Sequence, residues 1–238
     1  MCAGLTGIRF ALESNWYASA TCILVAAFFD MIDGMTARVF NASSRFGAEL
    51  DSLSDAISFG VTPSLVLYLW LREENTQPLQ TYLFGWYWIP FLFFTSCCVL
   101  RLARFNVSAK EPTSNHRHIH SFVGVPAPAA ALLALLPILT QFSLIRLNLP
   151  FAITEYPYLV CGWIMVVSIL MVSRIPTLSP KNLKITVSRK SALGLLVSTI
   201  LLVAIFIKEQ WLFFTVVGFL YFFSIPMVAR LYSRKYEK

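Results

Sequence analysis

Between Asp30 and Asp55 four aspartates stand where a membrane segment does not carry acids without a reason. The stretch reads Asp30-Met31-Ile32-Asp33-Gly34-Met35-Thr36-Ala37-Arg38 and resumes at Gly47-Ala48-Glu49-Leu50-Asp51-Ser52-Leu53-Ser54-Asp55. Asp30 ends the apolar run Cys22–Phe29, and Asp55 opens a run leading to Leu65–Trp70. Carboxylates at membrane depth are costly and mark function. Four of them repel one another unless a cation lies between them.

In helical form Asp30, Asp33, Gly34, Ala37 and Arg38 share one face, at i, i+3, i+4, i+7 and i+8. Gly47, Asp51 and Asp55 share a face of the next helix, at i, i+4 and i+8. A turn over Asn41–Arg45 lets the two faces meet. Hard carboxylate oxygens suit Mg²⁺, Mn²⁺ or Ca²⁺. Gly34 and Ala37 let a bulky planar group approach the backbone, and the guanidinium of Arg38 can hold a phosphate. Metal, phosphate clamp and spare carboxylate are the parts of a phosphoryl-transfer site. Pairing of the acids with Arg38, Arg45, Arg101 and Arg104 purely to hold helices leaves more acids than packing requires.

The elements that must position these groups are membrane helices. Of the 238 residues 57% are hydrophobic and only 13% charged, and the mean hydropathy is +0.68. A soluble domain is excluded by that composition. The net charge of +7 is read as cytoplasmic loop charge, with no nucleic acid as partner. Cys2, Cys22, Cys97, Cys98 and Cys161 lie in apolar runs without metal spacing and read as small buried hydrophobes. No cleavable leader is expected at the N-terminus.

The expected class is all-α, a polytopic bundle of about eight transmembrane helices in a single membrane domain, 1–238. Met1–Leu12 is too short to cross a bilayer, and is read as a re-entrant piece or as a first helix that begins upstream. Further spans are expected over about Trp16–Val39, Phe46–Leu71, Leu83–Phe105, Phe122–Ile145 (interrupted by Pro126, Pro128 and Pro137), Tyr156–Ser173, Ala192–Ile207 and Trp211–Leu231. Polar connections are expected over Arg72–Pro78 and Asn106–Ser121. With the aspartates in the cytoplasm, that side holds all of the 19 Lys and Arg except Arg9, Arg72, Arg146 and Lys208. The positive-inside rule therefore places the acids and both termini in the cytoplasm.

The pattern Asp-x2-Asp-Gly-x2-Ala-Arg-x8-Gly-x3-Asp-x3-Asp matches, at every fixed position, the signature of the CDP-alcohol phosphatidyltransferases, and the chain resembles that family. The resemblance implies a helical membrane bundle whose motif is split over two adjacent helices. It implies that Asp30, Asp33 and Asp51 bind divalent metal, Mg²⁺ or Mn²⁺, and that Asp55 completes the metal shell or acts as general base. Gly34, Ala37, Arg38 and Gly47 would line the CDP cleft. Phe46–Asp55, Leu100–Asn106, Phe122–Ala130 and Ser173–Thr177 are similar to the versions in serine-accepting members. Residues 1–177 would then be the catalytic core and 178–238 two added helices. The implied reaction moves a phosphatidyl group from CDP-diacylglycerol to L-serine, in a homodimer in a prokaryotic plasma or inner membrane.

An acceptor with a carboxylate needs a cation. Arg101 and Arg104, three apart near a span end, are candidates, as are Ser43, Ser44 and Arg45 beside the acids. Glycerol 3-phosphate, inositol, inositol phosphate and choline remain open as acceptors. A cation or proton transporter is disfavoured, because the acids form one cluster with no counterpart in the other half. His116, His118 and His120 read as a solvated loop near lipid headgroups, and Lys181, Lys184, Arg189 and Lys190 as topology determinants.

Overall fold

The computed structural model describes residues 1–39, 45–74, 78–110, 122–173, 176–177, 206 and 208–236. Helix α1 (Cys2–Leu12) turns back into α2 (Trp16–Val39). The turn is closed by Ser14 in the left-handed region (φ 58°) and by the Asn15 side chain, which accepts the Ala18 N–H at 3.1 Å as an N-cap. Helix α3 (Arg45–Asp55), a π-helical turn (Ala56–Val61) and α4 (Thr62–Glu74) run on without a break. Then come α5 (Pro78–Lys110), the short strand β1 (Phe122–Val123), α6 (Ala127–Arg146) and a 3-10 turn (Ile153–Glu155). Helix α7 (Pro157–Val172), strand β2 (Pro176–Thr177) and α8 (Gln210–Tyr236) follow.

Among the described residues five helical stretches are long and apolar enough to cross a membrane: Trp16–Thr36, Phe46–Glu73, Gly85–Val107, Ala127–Arg146 and Gln210–Val228. Cys2–Leu12 and Pro157–Val172 are shorter apolar helices. The molecule is a polytopic helical membrane bundle, as its composition requires. The expected span Ala192–Ile207 lies, apart from Phe206, outside the described residues, as do the three histidines and Lys181–Lys190.

Several boundaries differ from the sequence reading. Helix α5 continues through Asn106 to Lys110, so Asn106 is helical rather than the start of a loop. Arg72–Glu74 likewise extend α4. The fifth span starts at Ala127, because Phe122–Val123 instead pair antiparallel with Pro176–Thr177. Pro126 and Pro128 sit at the helix start, where their missing N–H groups cost nothing. Pro137 does not interrupt α6. The carbonyl that it leaves without an intrahelical donor is that of Leu133, and the Trp163 indole N–H donates to it at 2.7 Å.

α6 is the central helix. Every residue from Leu133 to Leu139 is buried, and α2, α4, α7 and α8 pack around it. Lipid is as apolar as leucine, so the helices associate through small residues and hydroxyls. A Cβ on Gly4 would lie 2.9 Å from the Ser58 Cα, and one on Gly7 3.3 Å from the Ser19 carbonyl oxygen. The Ser19 hydroxyl donates to the Gly7 carbonyl at 2.8 Å. These contacts seat α1 against α2 and the π turn. The π turn breaks the regular ladder, and side-chain hydroxyls take up the exposed carbonyls. Thr62 Oγ1 donates to Ile57 O at 2.9 Å, and Ser64 Oγ and Thr95 Oγ1 both donate to Gly60 O, at 2.7 and 3.3 Å. Gly60 itself leaves room for Cys98 of α5, which would meet an added Cβ at 3.2 Å.

Candidate active site

Asp30 and Asp33 project from α2, one turn apart, and Asp51 and Asp55 from α3, also one turn apart. The two helices bring one carboxylate oxygen each of Asp30, Asp51 and Asp55 within 4.8 Å of one another. Asp33 stands outside that cluster but lines the same cavity, of about 280 Å³. Ala26, Phe29, Ser54, Ser58 and Phe59 form its walls, and Ala3 of α1 closes one side. The π turn begins directly after Asp55, so the helix is locally rewound where the second acid pair meets the cavity floor.

Asp30 and Asp55 are half-buried and Asp51 is exposed. At an effective dielectric of about 20, each pair of unit charges at this separation repels by on the order of 3 kcal/mol. Among the described residues no histidine or cysteine joins the cluster, so its donors are hard carboxylate oxygens. That set fits a divalent cation of the magnesium type and does not fit a soft metal. The remaining coordination positions would fall to water or to phosphate oxygens of a substrate.

Around the acids the ground is open. Among the described residues a Cβ on Gly34 would meet nothing within 4 Å. Gly47 is exposed in the first turn of α3. Ala37 and Arg38 lie near the end of α2 and Arg45 opens α3, but their side chains fall outside the described residues. Ser43 and Ser44 fall outside them altogether.

Arg101 and Arg104 part company. Arg101 turns inward, within electrostatic reach of Asp55, and its Nε is buried with no hydrogen-bond partner among the described residues. Arg104 reaches sideways and donates both terminal nitrogens to Val172 O at 3.3 and 3.4 Å, capping the end of α7. A second contact on this end of the bundle went unforeseen. Ser52 Oγ donates to Asn106 Oδ1 at 3.1 Å, and Asn106 Nδ2 donates to Glu49 Oε2 at 3.3 Å. Helix α3 is thereby anchored to α5 through a face other than the one that carries its aspartates. Asn106 stood in a polar run, the one available signal, but its partners are more than 50 residues away. Ser58 and Phe59 of the π turn, three and four residues after Asp55, line the cavity as well.

The family model described as CDP-alcohol phosphatidyltransferase matches residues 1–173. Among known proteins, the chain is 40% identical over 178 residues to a CDP-diacylglycerol–serine O-phosphatidyltransferase of Mycobacterium leprae, covering 74% of this chain and 54% of the relative. It is 36% identical over 232 residues to the protein of the same description from Mycobacterium bovis, covering 97% of this chain and 75% of that one. A Helicobacter pylori protein so described is 32% identical over 179 residues, or 72% of this chain and 65% of the relative. The chain thus spans about half the length of the M. leprae protein.

Proposed function

Because this chain belongs to the CDP-alcohol phosphatidyltransferase family, we propose that it transfers the phosphatidyl group of CDP-diacylglycerol to L-serine, giving phosphatidylserine and CMP. The observation that carries this reading is the cluster of Asp30, Asp51 and Asp55 on two adjacent helices, with Asp33 on the same cavity. Serine as the acceptor is supported by relatives whose descriptions name it, at 32% to 40% identity. Other acceptors have less support.

Asp30, Asp51 and Asp55 would hold a divalent cation, Mg²⁺ or Mn²⁺, with Asp33 beside them. Such an ion, when bound, supplies positive charge against the pyrophosphate and the departing CMP. Asp55 accepts the proton of the serine hydroxyl as its oxygen bonds to the phosphorus that carries diacylglycerol. The bond from that phosphorus to the CMP oxygen breaks in the same displacement, and CMP leaves with its electrons. The open ground at Gly34 and Gly47 gives the nucleotide close approach to the backbone, with Ala37 and Arg38 on the same face of α2. Arg101 offers a positive charge next to Asp55 for the acceptor's carboxylate. Ser43, Ser44, Arg45 and Arg104 are the further candidates for acceptor or phosphate contact, and Arg104 would have to leave Val172 to serve it.

The detergent-solubilised protein is expected to release CMP from CDP-diacylglycerol only when both L-serine and Mg²⁺ or Mn²⁺ are present. Chelation should abolish the release, and inositol, glycerol 3-phosphate or choline should not replace serine. Serine-independent release, or equal release with another acceptor, counts against the assignment. The reading includes a cytoplasmic site and cytoplasmic termini in a prokaryotic plasma or inner membrane, and a homodimer. A reporter inserted after Lys110 tests the sidedness, and the mass of the solubilised particle tests the dimer.

A further inference from the structure

Helix α8 lies beyond the residues matched by the family model, yet it is built into the bundle. It packs on α6 and on β2. Its rotation is set by a close approach at Gly218, where an added Cβ would lie 2.6 Å from Leu136 Cδ2. Phe222 packs on Trp163, with ring centroids 4.7 Å apart, and fixes the next turn. Between these two contacts Tyr221 is packed against the core, with its hydroxyl oxygen buried.

Tyr221 and Asp55 both lie within electrostatic reach of Arg101, whose Nε is buried and has no hydrogen-bond partner among the described residues. Three helices thus bring a carboxylate, a guanidinium and a phenol to one region. Asp55 comes from α3, Arg101 from α5 and Tyr221 from α8. We propose that Tyr221 is a specificity-determining residue: its hydroxyl and the Arg101 guanidinium together receive the carboxylate of the amino-acid acceptor whose own hydroxyl is presented to Asp55. This rests on the serine reading above. A buried guanidinium nitrogen without a partner is a donor in want of an acceptor, and a ligand carboxylate has lone pairs for both groups. The two ends of a short β-hydroxy acid would then be read by different helices, the hydroxyl by α3 and the carboxylate by α5 and α8. An alcohol without a carboxylate would leave the buried Arg101 nitrogen unsatisfied, which is how a polar site rejects a near-isostere.

Tyr221→Phe keeps the ring and removes one oxygen, so packing on the core is preserved. With the full chain in detergent, the KM for L-serine is expected to rise about 10-fold while kcat and the KM for CDP-diacylglycerol change by less than about 2-fold. Preference for L-serine over L-serinamide, which lacks the carboxylate, should fall by the same factor. Thr215→Val on the same helix removes a hydroxyl bonded to Ser143 at 3.1 Å, far from Asp55, and should leave the serine KM unchanged. A serine KM in Tyr221→Phe that matches wild type overturns the proposal, as does a loss shared equally by CDP-diacylglycerol. If the wild-type protein itself shows no serine-dependent release, the acceptor reading falls and takes this proposal with it. If wild type responds to serine and Tyr221→Phe is indistinguishable from it, the proposal alone falls.

Discussion

Asp55→Asn is expected to lower CMP release by roughly 10²- to 10⁴-fold, the range of a lost general base, and raising the metal concentration should not restore it. Asparagine keeps the size and an oxygen that can still face a cation, but it cannot accept a proton. Asp51→Asn should fail differently. Asp51 is the exposed member of the cluster and is proposed only as a ligand. Its loss should weaken Mn²⁺ binding by about 10-fold or more, the scale on which changes at a metal centre act. Activity should then return at least in part as the metal is raised. Mn²⁺ binding followed by its paramagnetic resonance, beside CMP release at several metal concentrations, separates the two. Recovery of Asp55→Asn at high metal would leave Asp55 a ligand alone and remove the base role. Full activity of Asp51→Asn at low metal would remove Asp51 from the centre.

Gly124→Ala should be the most damaging single change outside the acids, through folding rather than chemistry. Gly124 has φ +81°, where a side chain is strained. Its added Cβ would stand 2.5 Å from Met171 O and 2.9 Å from Ser173 O, both backbone atoms that cannot swing aside. The residue crosses the end of α7, where the Val125 N–H reaches Leu170 O at 3.4 Å and Arg104 caps Val172. β1 and β2 must separate, or that helix end must shift. Strain and clash together are expected to cost about 3 kcal/mol or more. The readout is the yield of monodisperse protein in detergent and its thermal midpoint. A midpoint within about 2 °C of wild type would show that the crossing tolerates a methyl group.

The aspartate motif was legible because its information is local. Helical periodicity of 3.6 residues puts Asp30 with Asp33 and Asp51 with Asp55 on single faces, whatever surrounds them. Apolar runs of membrane-spanning length gave most of the helices for the same reason. The misjudged boundaries were decided by distant partners. Asn106 looked like loop because it is polar; it stays helical, bonded to Ser52 and Glu49 of α3. Pro137 looked like a break; Trp163, 26 residues on, supplies the donor that keeps α6 whole. Arg101 and Arg104 looked like one pair by spacing. They diverge because Val172 offers a helix-end carbonyl to one, while the other turns toward Asp55.

By itself, then, the order of residues determined a membrane bundle, the two-helix acid motif and the hard-cation chemistry of its carboxylates, since all three follow from composition and short-range spacing. Only the tertiary structure decided that Asp30, Asp51 and Asp55 cluster while Asp33 stands apart along the same cavity. It also decided that α1 and a π turn wall that cavity, and that α8 places Tyr221 within electrostatic reach of Arg101. Each of those outcomes depends on how closely two helices approach. That approach is set by small residues such as Gly4, Gly60 and Gly218 against partners remote in the chain, which no local pattern encodes.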